Sequence, residues 1–134
     1  MFILKSGKVK TISLPVTTST AIAEGALVSF TAGLLVAATS STASNLIVGV
    51  LKKAIAATDS DYGTARLVEV VVPVEKNVEW EFDCGASLVA GDIGYLADLT
   101  DSVTVNRAAT SVKVVRITKV ISTTKGRGII LFAA

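Results

Sequence analysis

The sequence predicts an all-β fold: a compact β-sandwich or partly open β-barrel of short antiparallel strands, with at most one or two short helices. Three observations lead there. Val, Ile and Thr number 19, 10 and 15, so 44 of 134 residues are β-branched, and such side chains are stiff at χ1 and suit a pleated surface better than a helix. Turn-forming residues recur at short, regular intervals between apolar runs. Residues 77–84 alternate strictly, with Val78, Trp80, Phe82 and Cys84 interleaved with Asn77, Glu79, Glu81 and Asp83, the pattern of a strand with one buried and one wet face. The length of 134 residues fits one domain, residues 1–134, with 1–14 an N-terminal strand or arm and 15–134 the β core. A folded monomer of this size exposes roughly 6,600 Å².

Taken in order, Lys8 and Lys10 share one face of a first strand, with Val9 opposite and Ile12 just beyond. Residues 27–31 and 34–38 read as a hairpin around Ala32-Gly33, and 46–51 as the next strand. Only 20–25 and 52–58 have room for a turn or two of helix. Residues 66–74 are nearly continuous in Val and Leu but include Pro73, which cannot donate to a ladder and belongs at an edge or bulge. This strand is expected to pair with 77–84 through a Glu75-Lys76-Asn77 turn. Strands at 94–97, 103–106, 112–121 and 128–132 complete the set, and the slip in apolar phase between Val114 and Val115 predicts a bulge. Residues 24–55 echo 90–121 at a constant offset of 66, which lays Gly25 on Gly91 and Leu51-Lys52-Lys53-Ala54-Ile55 on Ile117-Thr118-Lys119-Val120-Ile121.

The composition narrows the function. With no His and one Cys, the commonest general base, the commonest zinc ligand and any internal disulfide are missing, so an enzyme is not expected. No catalytic residue, cofactor or metal is assigned. A net charge of +2 is too small for a nucleic-acid footprint. The amino terminus runs apolar then basic, the reverse of a signal peptide. The most lipid-like stretch, 21–38, is broken by Glu24, Gly25 and Gly33, and its uninterrupted portion is shorter than the roughly 20 residues that span a bilayer, so no membrane partner is expected. Apolar residues are 51% of the chain and charged residues 18%, a composition that favours self-association or a large partner.

Five clusters hold whatever chemistry there is. Asp59-Ser60-Asp61-Tyr62-Gly63 opens like a calcium loop but lacks the distal acidic ligands, which favours a turn. Glu79, Glu81 and Asp83 form an acidic stripe that reads as a solvated face, with paired acid–base carboxylates or a partner contact as alternatives. Lys125-Gly126-Arg127-Gly128 offers amides and cations to a phosphate, yet without a P-loop setting it reads as a hairpin turn. Cys84, in phase with Trp80 and Phe82, reads as a core thiol. Lys5, Lys8 and Lys10, with Ile12, are the candidate partner-binding residues, set against a reading as edge-strand lysines that deter aggregation.

The segments Thr20-Ala21-Ile22-Ala23-Glu24-Gly25-Ala26-Leu27-Val28, Ala32-Gly33-Leu34-Leu35-Val36-Ala37-Ala38-Thr39 and Val48-Gly49-Val50 resemble the small decoration proteins of tailed-bacteriophage heads. Ala90-Gly91-Asp92-Ile93-Gly94-Tyr95-Leu96-Ala97-Asp98 followed by Val103-Thr104-Val105 extends the resemblance, with Ile93-Gly94 departing from the family's usual apolar residue before the Tyr. The resemblance spans most of residues 15–132. It implies a β-rich, often trimeric cement protein, made in the host cytoplasm and bound to the major capsid protein on the outside of the virion. There it occupies local three-fold positions and stabilises the shell against DNA pressure. Another virion β-domain, such as a tail-tube, tail-terminator or fibre module, is the nearest alternative. A carbohydrate- or receptor-binding module is disfavoured by 7 aromatic residues, 3 Asn and no Gln.

Overall fold

The computed structural model describes residues 1–85 and 87–131. It is all-β, with eleven strands: β1 (Ile3–Ser6), β2 (Val9–Pro15), β3 (Leu27–Thr31), β4 (Leu34–Ala37), β5 (Ile47–Leu51), β6 (Leu67–Pro73), β7 (Glu79–Cys84), β8 (Leu96–Leu99), β9 (Thr104–Asn106), β10 (Val115–Ser122) and β11 (Lys125–Ile130). Single 3-10 turns lie at Ser44–Leu46 and Ala90–Asp92.

The strands form two sheets, and five strands of each repeat one pattern, with β1 added to the second beside β7. The first runs β2-β6-β5-β3-β4 through antiparallel pairs, and a parallel bridge from Val16 to Leu35 returns the end of β2 to β4. The second runs β7-β11-β10-β8-β9, and a parallel pair, Cys84 with Val105, returns β9 to β7. Each chain of pairings comes back on itself, which makes two small five-stranded barrels and removes most free edges. The correspondence holds residue by residue. Ile12 opposite Val70 answers Trp80 opposite Gly128, Leu27 opposite Val50 answers Leu96 opposite Arg116, and Phe30 opposite Leu35 answers Leu99 opposite Val105.

Hydrogen bonds outside the ladders repeat as well. Gly25 donates to Leu51 and Leu51 to Ala26, as Gly94 donates to Ile117 and Ile117 to Tyr95. Gly25 and Gly94 sit at φ 74° and 89°, the left-handed region that favours glycine. The shift between equivalent residues is 68 for β2 and β7, 69 for β3 and β8, 70 for β4 and β9, 66 for β5 and β10, and 58 for β6 and β11.

Packing explains the near-continuous apolar strands. Val28, Leu35, Leu51, Val70 and Val72 fill the first barrel with Ile22 and Ile55, while Leu27, Ile47 and Val50 on its other face join Trp80, Phe82, Leu99, Val105 and Ile117 in the second core. Strands buried on both faces have no wet side to keep polar, so much of the apolar content is internal. The accessible surface is 6668 Å², ordinary for this mass. The amino terminus ties the halves together: buried Phe2 donates its amide to Gly25 and sets its ring against Phe82, 6.4 Å between centroids, while β1 pairs with β7 and β2 with β6.

Several expectations are corrected here. β6 does not pair with β7; residues 74–78 carry the chain from one barrel to the other, and β6 lies between β2 and β5. Pro73 is tolerated because it ends its strand, beyond the last β5 pairing at Val71. Residues 20–25 and 52–58 are turns rather than helix, since Ile22 and Ile55 bridge each other in extended form. The bulge expected in the strand at 112–121 is present, as register shifts after Ile117 and Val120, but the phase slip at Val114 and Val115 instead marks the start of β10 after Lys113 at φ 62°. Lys125-Gly126-Arg127-Gly128 lies within β11, not in a turn. The strand expected at 128–132 therefore begins at Lys125, and Phe132 lies outside the described residues. Gly25 corresponds to Gly94 rather than Gly91, whereas Leu51 does correspond to Ile117.

Candidate functional site

β7 turns Trp80, Phe82 and Cys84 inward and Glu79, Glu81 and Asp83 outward, as its alternation predicts. The cations beside that stripe come from its neighbours. Lys125 and Arg127 are the direct partners of Asp83 and Glu81 across β11, at 3.6 Å and 4.0 Å, and Arg127 also reaches Glu79 at 3.9 Å. From the other side, Lys5 on β1 approaches Glu81 at 3.9 Å and the terminal ammonium of Met1 bonds Asp83 at 2.8 Å. Thr118 donates its hydroxyl to Glu79 at 2.9 Å. Two sequence candidates, the acidic stripe and the Lys-Gly-Arg-Gly cations, thus neutralise one another. Pairs this exposed contribute at most about 1 kcal/mol each; their effect is to fix the register of β1 and β11 on β7.

The glycines of that segment have a different task. A Cβ at Gly128 would lie 2.5 Å from the carbonyl oxygen of Arg116 and 3.1 Å from the ring of Phe82. The aromatic side chains of β7 need that space. In the first barrel the same places hold Ile12 and Leu14 opposite Val70 and Val68, so volume is shared evenly there and unevenly in the second.

The candidate partner-binding residues are not brought to one surface. Lys5 lies against β7 of the second barrel. Lys8 turns the chain into β2, its amide bonded to Glu75 and its carbonyl to the amide of Val74, and Lys10 is exposed opposite Val72. Ile12 is half-buried against the first barrel's core, on the face of β2 that it shares with Lys10, which is exposed nearer the start of the strand.

Asp59 and Asp61 both hold Arg66, Asp59 at 2.7 Å, and Asp59 also accepts the Ala56 amide at 3.0 Å. A cation at this place would have to displace the guanidinium. Among the described residues no three His, Cys, Asp or Glu side chains are grouped to hold a metal. Beside this loop runs an open groove of about 820 Å³, lined by Glu24, Lys52, Asp59, Asp61, Arg66 and Glu69; Lys52 and Glu69 close on each other at 2.9 Å.

Two acids not singled out as chemistry in the sequence are buried. Asp98 accepts the amides of Ser111, Val112 and Lys113 at 3.1, 2.9 and 2.7 Å, which anchors the loop entering β10. Asp92 accepts the Val89 amide at 2.9 Å and the Arg107 guanidinium at 3.0 Å. A charged residue near a glycine turn, flanked by apolar strands, was the available signal, because burying it requires such partners.

These contacts set the acid response. The Val89 amide and then Arg107 hold Asp92 below the ordinary carboxylate value of 3.8. The terminal ammonium and then Lys125 do so for Asp83, and the Ala56 amide and then Arg66 for Asp59. A carboxyl with a lowered folded pKa contributes stability that is present above its unfolded value and lost as pH falls through the folded one. The melting temperature is therefore expected to stay level from neutral pH down to about 5 and to drop below pH 4. Asp92→Asn should flatten that acid limb in scanning calorimetry; an unchanged limb would contradict the assignment.

What remains outside is apolar and distributed. Leu67 is 69% exposed, Leu46 and Ile93 56% and Val89 53%. No family model matches the chain, and no curated protein matches it.

Proposed function

We propose that the chain is a capsid decoration, or cement, protein: a homotrimer on the outside of a tailed-phage head at local three-fold positions, gripping the major capsid protein and opposing internal DNA pressure. The observation that carries this reading is the set of large apolar side chains left exposed on the double barrel, Leu67 and Leu46 foremost. The double-sided burial of the first barrel already absorbs the core's share of apolar residues, so these are surplus to folding and suit contacts between subunits. Two or three interfaces of about 800 Å² each would cover a quarter to a third of the surface. The outer edge of β1 offers a strand to a capsid subunit, and Lys8 and Lys10, at the start of β2, offer positive charge to an acidic surface. Three copies around an axis multiply a weak footprint through effective concentration.

Deleting the first ten residues is a poor test, because it removes buried Phe2 and β1. Reversing charge in place is cleaner. With Lys8→Glu and Lys10→Glu combined, neither of which forms an ion pair among the described residues, co-sedimentation with expanded heads is expected to weaken by tenfold or more at low salt while the melting temperature stays near that of the parent. Undiminished binding would remove these lysines from the contact.

A further inference from the structure

We infer that the rim of the second barrel formed by residues 88–95 and 116–123 is a docking site for an extended, acidic polypeptide segment of a partner protein, held by an apolar anchor. The inference does not depend on the function proposed above.

It comes from comparing the two halves. In the first, the segment leading into β3 is covered by the chain's own β5–β6 connection: Ser19 donates to the Tyr62 carbonyl at 2.8 Å, Ile22 and Ile55 bridge each other, and the Tyr62 side chain packs against the barrel core. In the second, the shift between halves falls from 66 on β5 and β10 to 58 on β6 and β11, so the equivalent connection is eight residues shorter. It is a tight turn at Thr123-Thr124, closed by Ser122 opposite Lys125. The cover is reduced to the turn itself, where Leu88 bonds the Thr123 carbonyl as Ser19 bonds that of Tyr62, while the segment beneath remains. Leu88 donates to Thr123, Gly94 to Ile117 and Ile117 to Tyr95, which holds residues 88–95 along β10 as the first half holds its counterpart along β5.

The apolar side chains there are correspondingly open. Val89 is 53% exposed, Ile93 56%, Tyr95 37% and Ile121 42%. Charge selects the occupant. Arg116 and Lys119 are exposed on β10 beside the strip and form no ion pair among the described residues. Asp92, the acid of the segment, is buried against Arg107. The strip therefore presents uncompensated positive charge around an apolar floor, which favours a chain with carboxylates beside a large apolar residue. The covering loop of the first half is such a chain, with Asp59 and Asp61 next to Tyr62.

That loop supplies the probe. A capped synthetic peptide with the sequence of residues 54–64 is titrated into the isotope-labelled full-length protein at low salt, and amide shifts are followed by NMR. Saturable shifts confined to residues 88–95 and 116–123 are expected. Binding should weaken about tenfold or more in the protein carrying Arg116→Glu and Lys119→Glu, and likewise for a peptide with both Asp residues replaced by Asn. Unmoved resonances elsewhere show that the variant retains its fold. The inference is overturned by the absence of saturable shifts in the strip or by shifts indifferent to charge reversal. It is equally overturned if the strip responds to protein concentration alone, which would make a second copy the occupant.

Discussion

Replacing Trp80 with alanine is expected to cost about 3–5 kcal/mol, the range for emptying a buried aromatic site. Trp80 is 2% exposed and stands opposite Gly128 in the barrel that forms most of the larger core. The residue across the ladder has no side chain to fill the space. Ile12→Ala, the equivalent change in the first barrel, should cost less, about 2 kcal/mol, because Ile12 is half-buried and faces Val70. Gly128→Ala should cost about 3 kcal/mol for the opposite reason, since its Cβ would meet the backbone carbonyl of Arg116 at 2.5 Å. Urea denaturation of the three variants tests the ranking. A Trp80→Ala cost below that of Ile12→Ala would contradict the uneven sharing of volume between β7 and β11. Against a net stability of about 5–15 kcal/mol, either change in the second barrel consumes a large fraction.

The second large effect is expected at Asp98. Its carboxylate is 4% exposed and takes three successive amides from the loop before β10. Asp98→Ala leaves those donors unmatched, at about 3 kcal/mol or more. Asp98→Asn should cost roughly half as much, because one oxygen still accepts from Val112 and Lys113 while the amide nitrogen opposes the Ser111 N–H. Hydrogen exchange at residues 111–113 is the discriminating readout: fast exchange in the alanine variant, intermediate in the asparagine variant. Equal protection in both would show that the loop is held by something other than this carboxylate.

What could be read in the sequence was local. The β3–β4 hairpin follows from Ala32-Gly33, at φ 52° and 81°, the primed two-residue turn that matches strand twist. The alternation of β7 follows from side-chain period alone. Pairing across the chain was harder. Residues 66–74 and 77–84 look like a hairpin because they are adjacent, but the boundary between two copies of one fold falls between them, and each strand pairs within its own copy.

The duplication itself was half visible. A constant offset of 66 fits β5 and β10 but misplaces Gly25 by three residues, because connections of unequal length change the offset from strand to strand. The glycines of β11 looked like a turn because their reason, the aromatic residues of β7 opposite them, lies some 45 residues away in sequence. Of the candidate site, Lys5, Lys8 and Lys10 are on the outside as expected. Ile12 is drawn inward because its alternation belongs to a closed barrel rather than an open edge. The exposed strip at 88–95 became visible only when the halves were compared.

The proposal that this protein cements a viral shell is tested most directly by electron cryomicroscopy of expanded phage heads incubated with the purified chain. The account predicts added density on the outer surface at local three-fold positions, three double barrels to a cluster. Bare three-fold positions at saturating protein, from material that sediments as a monomer, would contradict it.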